Sequence, residues 1–266
     1  MRMVSDVNIS IREAYISKND CFIANVNRVD SRYIKFQDEG PKGLMLHSVG
    51  CAQPSAEVFA TNWNKSGIEK AVHAFIDANT GVVWQTLPWN FRGWHAGGSA
   101  NNTHIGVEMC ESGSITYITA SQFTVKDLAK ARADCKRAYD SAVLLFANLC
   151  ERFGLNPATD IISHKEGSAR GIASGHQDPE MYWQGLGMSY TMATFRADVA
   201  AAMEPDPMPF VDVPEGKYYT DAVRWAWENG IVSGTDATHF SPKASIKRCD
   251  ACVMLRRLYD LLKGGG

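Results

Sequence analysis

Apolar positions fall first into short runs and then into one long helical stretch. Gly43-Leu44-Met45-Leu46-His47 is a brief apolar run closing on a histidine, and Asp160-Ile161-Ile162-Ser163-His164 has the same form much later. Both suit buried strands. Ile105, Val107 and Met109 alternate with Gly106, Glu108 and Cys110, which predicts a strand with two distinct faces. Ala71–Asp77 and Val82–Leu87 flank Asn79-Thr80-Gly81, a pair of strands joined by a glycine-containing turn. From about Thr124 to Phe153 the chain is rich in Ala, Lys, Arg and Leu without Gly or Pro. A helix is predicted there, with Gly154 as its stop. Val7–Ile11 and Cys21–Val26 read as strands or an irregular extension. Strands mixed with long helices predict an α/β fold built in layers.

The pattern changes at Glu204-Pro205-Asp206-Pro207-Met208-Pro209, where closely spaced prolines suit a linker. The chain therefore divides into a domain over 1–204, a proline-rich linker over 205–209 and a small helical unit over 210–266. In that unit Tyr218, Ala222, Trp225 and Ala226 mark one predicted apolar face; Ile246, Val253, Leu255, Leu258 and Leu262 mark another. No second copy of the unit is evident.

Composition narrows the classes. The 266 residues are 45% hydrophobic, enough for a buried core, and 27 basic against 29 acidic side chains give a net charge of −2. Bulk charge therefore gives no hold on nucleic acid. Seven cysteines, an odd and scattered set, suit reduced thiols packed as small hydrophobes. Met1–Asn8 has no apolar core of a signal peptide, and no apolar run is long enough to span a membrane. The expectation is synthesis in the cytoplasm and no membrane partner.

The candidate chemistry lies in the histidines. His47 and His164 end strand-like runs, where rigid scaffolds present groups to a cleft. His176-Gln177-Asp178-Pro179 follows in a glycine-rich segment and offers a carboxylate with a third imidazole. A catalytic zinc needs three N, O or S donors and an open position, which two imidazoles and a carboxylate satisfy. The same pattern also suits histidines that pack behind a site.

These pieces, in this order, resemble the zinc-dependent N-acetylmuramoyl-L-alanine amidases related to the peptidoglycan-recognition proteins. The resemblance runs from about Gly43 to Trp183. It rests on Leu46-His47-Ser48, the hairpin Ala71–Leu87, Trp94-His95-Ala96-Gly97, His104-Ile105-Gly106-Val107-Glu108, and Ser163-His164-Lys165-Glu166 through His176-Gln177-Asp178-Pro179. It implies a mixed central sheet flanked by helices, Zn2+ on His47, His164 and Asp178, Glu108 as the catalytic carboxylate, and His176 as the group stabilising the transition state. The implied substrate is peptidoglycan, cut between the lactyl group of muramic acid and L-alanine. His95 and Trp94 are expected to contact substrate. His176 in place of Asp178, or Cys51 just after His47, are alternative donors. His73 reads as a structural histidine, His104 and His239 as surface residues, and Trp84, Trp89 and Trp94 as groove or core. A non-cleaving peptidoglycan-recognition module and a glycosidase with paired carboxylates are the rival readings.

The last part of the chain resembles a single surface-layer-homology motif. It carries Phe210-Val211-Asp212-Val213, Ala222-Val223-Arg224-Trp225-Ala226, Gly230-Ile231-Val232-Ser233-Gly234, Phe240-Ser241-Pro242 and Ile246-Lys247-Arg248. The resemblance implies a secondary cell-wall polymer as partner, gripped by Arg248, with self-association as another use. Without a signal peptide, the combination is expected of a phage or prophage endolysin that acts on the wall after release, with a bacterial autolysin as the alternative.

Overall fold

The computed structural model describes residues 9–29, 36–204 and 208–264, in two units, 1–204 and 205–266. Met1–Asn8 and the linker residues Pro205, Asp206 and Pro207 lie outside the described residues. The first unit is built on a six-stranded sheet in the order β1-β4-β3-β5-β2-β8. Its strands are β1 (Ile11–Glu13), β2 (Gly43–Ser48), β3 (Ala74–Ile76), β4 (Val83–Gln85), β5 (His104–Met109) and β8 (Ile161–Ser163). Every neighbouring pair is parallel except β3–β4, the predicted hairpin. A separate antiparallel ribbon joins β6 (Ile115–Thr119) to β7 (Gln122–Val125). The fold is mixed α/β, a mostly parallel central sheet flanked by helices.

Alternation along β2 and β5 decides what each face does. Leu44 and Leu46, with Ile105 and Val107, join the main core. Met45 and His47, with Gly106 and Glu108, turn to the other face. The register sets His47 beside Glu108 and Leu46 beside Ser163. Three parallel strand ends thus bring His47, Glu108 and His164 to one edge, the usual ligand position in open α/β sheets.

The helices of this unit include α1 (Asp20–Asn27), α2 (Ala56–Trp63), α3 (Leu128–Phe153), α4 (Pro157–Asp160), α5 (His164–Ala169), α6 (Glu180–Gly185) and α7 (Met192–Met203). The long helix starts at Leu128, later than expected, because Gln122–Val125 pairs with β6 and the Asp127 side chain caps the Lys130 N–H. Gly154 ends it at φ 65°, a left-handed position that suits glycine. Its buried face carries Ala138, Ala142 and Phe146, and Phe146 meets Phe195 edge-on at 5.1 Å. Phe146→Ala should cost about 3–5 kcal/mol of stability, read by urea unfolding. A loss under about 1 kcal/mol would contradict this packing. Among the described residues no helix is long and apolar enough to cross a membrane.

Cys21–Val26 is helical, against the strand or extension expected. Asn19 caps α1 by accepting from the Cys21 N–H, and only Cys21 and Asn25 of the helix are buried. An apolar run this short does not separate a strand from a helix turning one edge inward.

The second unit contains α8 (Thr220–Glu228) and α9 (Arg248–Gly264), with a small cluster of Phe210, Val213 and Val223 against which Tyr219 and Trp227 pack. Its faces differ from those expected. Tyr218 is 98% exposed and Trp225 47%, while Tyr219, Val223 and Trp227, spaced one turn apart, face the cluster. On α9, Leu255 and Leu262 are exposed, and Ala251, Met254 and Leu258 are the partly covered positions. Asp212 closes the loop between the helices by accepting from the Phe240 and Ser241 N–H groups.

Candidate metal centre

Each member of the centre is positioned by local structure. His47 is buried in β2, and its ring is flanked on two sides by other imidazoles. His164 is the first residue of α5, which begins with a capping box. Ser163 Oγ accepts from the Glu166 N–H, and the Glu166 carboxylate accepts from the Ser163 N–H. Asp178 comes from the loop before α6 and accepts from the Ser48 N–H at 3.3 Å. His47 Nδ1 and His164 Nδ1 are 3.0 Å apart, and the Asp178 oxygens lie 3.4 Å from the first and 3.7 Å from the second.

These spacings fit a metal. Tetrahedral zinc with donors at about 2.0–2.1 Å holds them about 3.3 Å from one another, which the observed separations bracket. Among the described residues His47, His164 and Asp178 form the one such group of donors. Cys51 is exposed and outside it, and His176 stands at the rim with its side chain 62% exposed. The Nε2 of His164 faces Ser174 Oγ at 3.1 Å, and the Nε2 of His47 faces His95 Nδ1 at 2.9 Å. Such partners orient metal-binding imidazoles.

The electrostatics favour a cation. Burial opposes charge on His47, but Asp178 and Glu108 outweigh it and raise its pKa. Burial, and then the neighbouring His47, push His164 down to about 4. Burial would raise Asp178, yet the two histidines hold it below the usual carboxylate range. Glu108 is the outlier: burial pushes its carboxyl up to about 7, aided by the Asp178 and Glu111 carboxylates and opposed by His47 and Lys70. Its Oε2 is buried without a hydrogen-bond partner.

An open cleft of about 600 Å³ passes over the centre, lined in part by Trp94, His95, Glu108, His176 and Lys70. Trp94 thus borders the cleft. Trp89 is in the core and Trp84 packs against it. His73 is structural, as expected: it is buried, accepts from the Gly106 N–H and donates to the Phe91 carbonyl. His104 is not a surface residue, because its ring lies over Gly43, where a Cβ would come within 2.7 Å of Nε2. His239 is half-exposed beside Asp236. Arg248 is exposed at the start of α9.

Sequence reasoning passed over two charged groups near the centre. Glu111 is buried and accepts from Ser48 Oγ, the Gly50 N–H and Tyr117 Oη, tying the end of β2 to the ribbon. Lys70 reaches the cleft and lies over the Trp63 ring at 4.7 Å. A carboxylate just past a strand end was the available sign for Glu111; Lys70 had none.

Residues 37–181 match the family model described as N-acetylmuramoyl-L-alanine amidase, and residues 209–252 match the S-layer homology domain. Similar solved structures include the Staphylococcus aureus hydrolase AmiA, 17% identical over 73% of this chain and 82% of that one, with a TM-score of 0.47. A mutant endolysin from Bacillus subtilis is 19% identical over 72% of this chain and 99% of that one, TM-score 0.46. The E. coli N-acetylmuramyl-L-alanine amidase AmiD is 16% identical over 64% and 75%, TM-score 0.34. No curated protein matches the chain. Because the amidase model spans more than half of its residues, the chain belongs to the N-acetylmuramoyl-L-alanine amidase family, and it carries an S-layer homology domain behind the amidase domain.

Proposed function

We propose that the chain hydrolyses the amide between the lactyl group of N-acetylmuramic acid and L-alanine in peptidoglycan, with zinc held by His47, His164 and Asp178. The observation that carries the reading is the unpartnered, buried Oε2 of Glu108 beside three converging donors. When bound, zinc supplies Lewis acidity that polarises a carbonyl and makes water nucleophilic near neutral pH. Glu108 takes a proton from the attacking water and returns it to the departing amine of L-alanine, so one carboxylate serves as base and then acid. His176, at the rim and stacked on His164 at 4.5 Å, donates an N–H to the developing oxyanion; one such donor is worth about 3–4 kcal/mol. Trp94 gives the glycopeptide an apolar wall.

Mass spectrometry of muropeptides, digested with and without a chelator, tests the reading. Expected products carry a free L-alanine amine and disappear when the chelator is present. New reducing ends would indicate a glycosidase, intact muropeptides a binding module, and chelator-resistant cleavage would sink the metal mechanism.

The proposal extends to the S-layer homology domain, which we assign to a secondary cell-wall polymer through the exposed Arg248, whose guanidinium suits an anionic glycan. Release as an endolysin, the role expected above, belongs to the same proposal. Deleting 205–266 should lower binding to purified walls at least tenfold while hydrolysis of soluble muropeptides stays within about twofold, since unit 1 has its own core. Wall binding unchanged by the deletion would remove the targeting role.

A further inference from the structure

His95 does not simply border the cleft. Its Nε2 lies 3.0 Å from the His104 carbonyl oxygen, which can only accept. Nε2 therefore carries the hydrogen, and the neutral ring presents Nδ1 as an acceptor. That atom faces His47 Nε2 at 2.9 Å, so His47 places a hydrogen on Nε2, and in the neutral ring Nδ1 keeps its lone pair. Nδ1 is the atom that converges with His164 and Asp178.

The ring is held in a built cradle. A Cβ on Gly106 would come within 2.5 Å of His95 ring atoms, and one on Gly93 within 2.7 Å. Both positions therefore need glycine for this ring to fit. The buried side chain of Asn101 accepts from the His95 and Ala96 N–H groups, both at 2.8 Å, fixing the backbone that carries the ring.

We propose that His95 is a positioning residue: it relays the direction of the His104 carbonyl through its own ring and holds His47 in the one tautomer able to bind a metal through Nδ1. The inference rests on the metal reading above but is separable from it, because the tautomer of His47 exists without metal or substrate. Without the His95 acceptor, His47 could carry its hydrogen on Nδ1, facing His164, and the donor set would lose a member. Partners of this kind are typically worth 10- to 100-fold in metal affinity.

The test uses the full chain with ¹⁵N-labelled histidine. Long-range ¹H–¹⁵N spectra of the metal-free protein, taken at a pH where His47 is neutral, should show His47 as the Nε2–H tautomer. His95→Phe should remove that preference and weaken zinc, measured by chelator competition, by about 10- to 100-fold. His95→Asn, whose Oδ1 can stand where Nδ1 stands, should recover part of the loss. A structural role alone would give no such rescue. Gly106→Ala keeps the imidazole but displaces it, and should loosen zinc while the chain remains folded by circular dichroism. Should wild-type His47 prove to be the Nδ1–H tautomer, or should His95→Phe bind zinc within twofold of wild type, the relay is wrong. Wild-type protein that binds no zinc but shows the Nε2–H tautomer would overturn the metal reading and keep the relay.

Discussion

Glu108→Gln should lower kcat for muropeptide hydrolysis by about 10²- to 10⁴-fold, the usual worth of a positioned general acid–base group, and leave zinc content at the wild-type level. The substitution keeps size and shape but removes the ability to accept a proton. Glu108 sits beside His47 in the strand register yet lies outside the group of His47, His164 and Asp178, so the base and the metal donors proposed here separate in space. Burial makes the carboxyl costly to ionise, and Oε2 has no internal partner to satisfy it. A purely structural carboxylate would be tied up, as Glu111 is by three donors. For that reason Glu111→Gln should act mainly through stability and Glu108→Gln mainly through kcat. The measurements are amine release from soluble muropeptides at saturating substrate and zinc per chain by mass spectrometry. Metal-replete Glu108→Gln within tenfold of wild-type kcat would remove the carboxylate from the chemistry.

Much of this site was legible because strand periodicity is local. The alternation of Ile105, Val107 and Met109 with Gly106 and Glu108 identified the face that carries the carboxylate, and β5 keeps that division. The runs ending in His47 and His164 likewise proved to be adjacent parallel strands. Their adjacency itself left no mark in the sequence, because β2 lies between β5 and β8, strands far from it along the chain. Pairing of that kind is decided by burial of both faces. The α1 segment was misread since its apolar residues are too few to express a period; the cap at Asn19 was the better sign. The faces of α8 and α9 were misread for another reason. Tyr218 and Trp225 are apolar by type but exposed, so composition alone misplaced the stripe. His95 shows a further limit. A loop histidine reads equally as a substrate contact or a support, and only the glycines at 93 and 106, seen around its ring, decide its surroundings.

His47→Ala should separate from Glu108→Gln by losing metal as well as activity. The centre offers three protein donors, and His47 Nδ1 is the one closest to both others. Removing a supporting partner of a metal-binding histidine typically costs 10- to 100-fold in affinity, so removing the histidine itself should cost more than about 100-fold. The consequence can be read without substrate. A ligand at 100 times its Kd stabilises a folded chain by about 2.7 kcal/mol, and for a domain of this size each kcal/mol moves Tm by about 2–4 °C. Zinc should therefore raise the melting temperature of the wild-type amidase unit by about 5–10 °C, and do the same for Glu108→Gln. At the same zinc concentration His47→Ala should show no shift. Calorimetry of the three proteins with and without zinc makes the comparison. An equal shift in His47→Ala would place the metal elsewhere, whereas loss of the shift in Glu108→Gln would make Glu108 a donor and require another base.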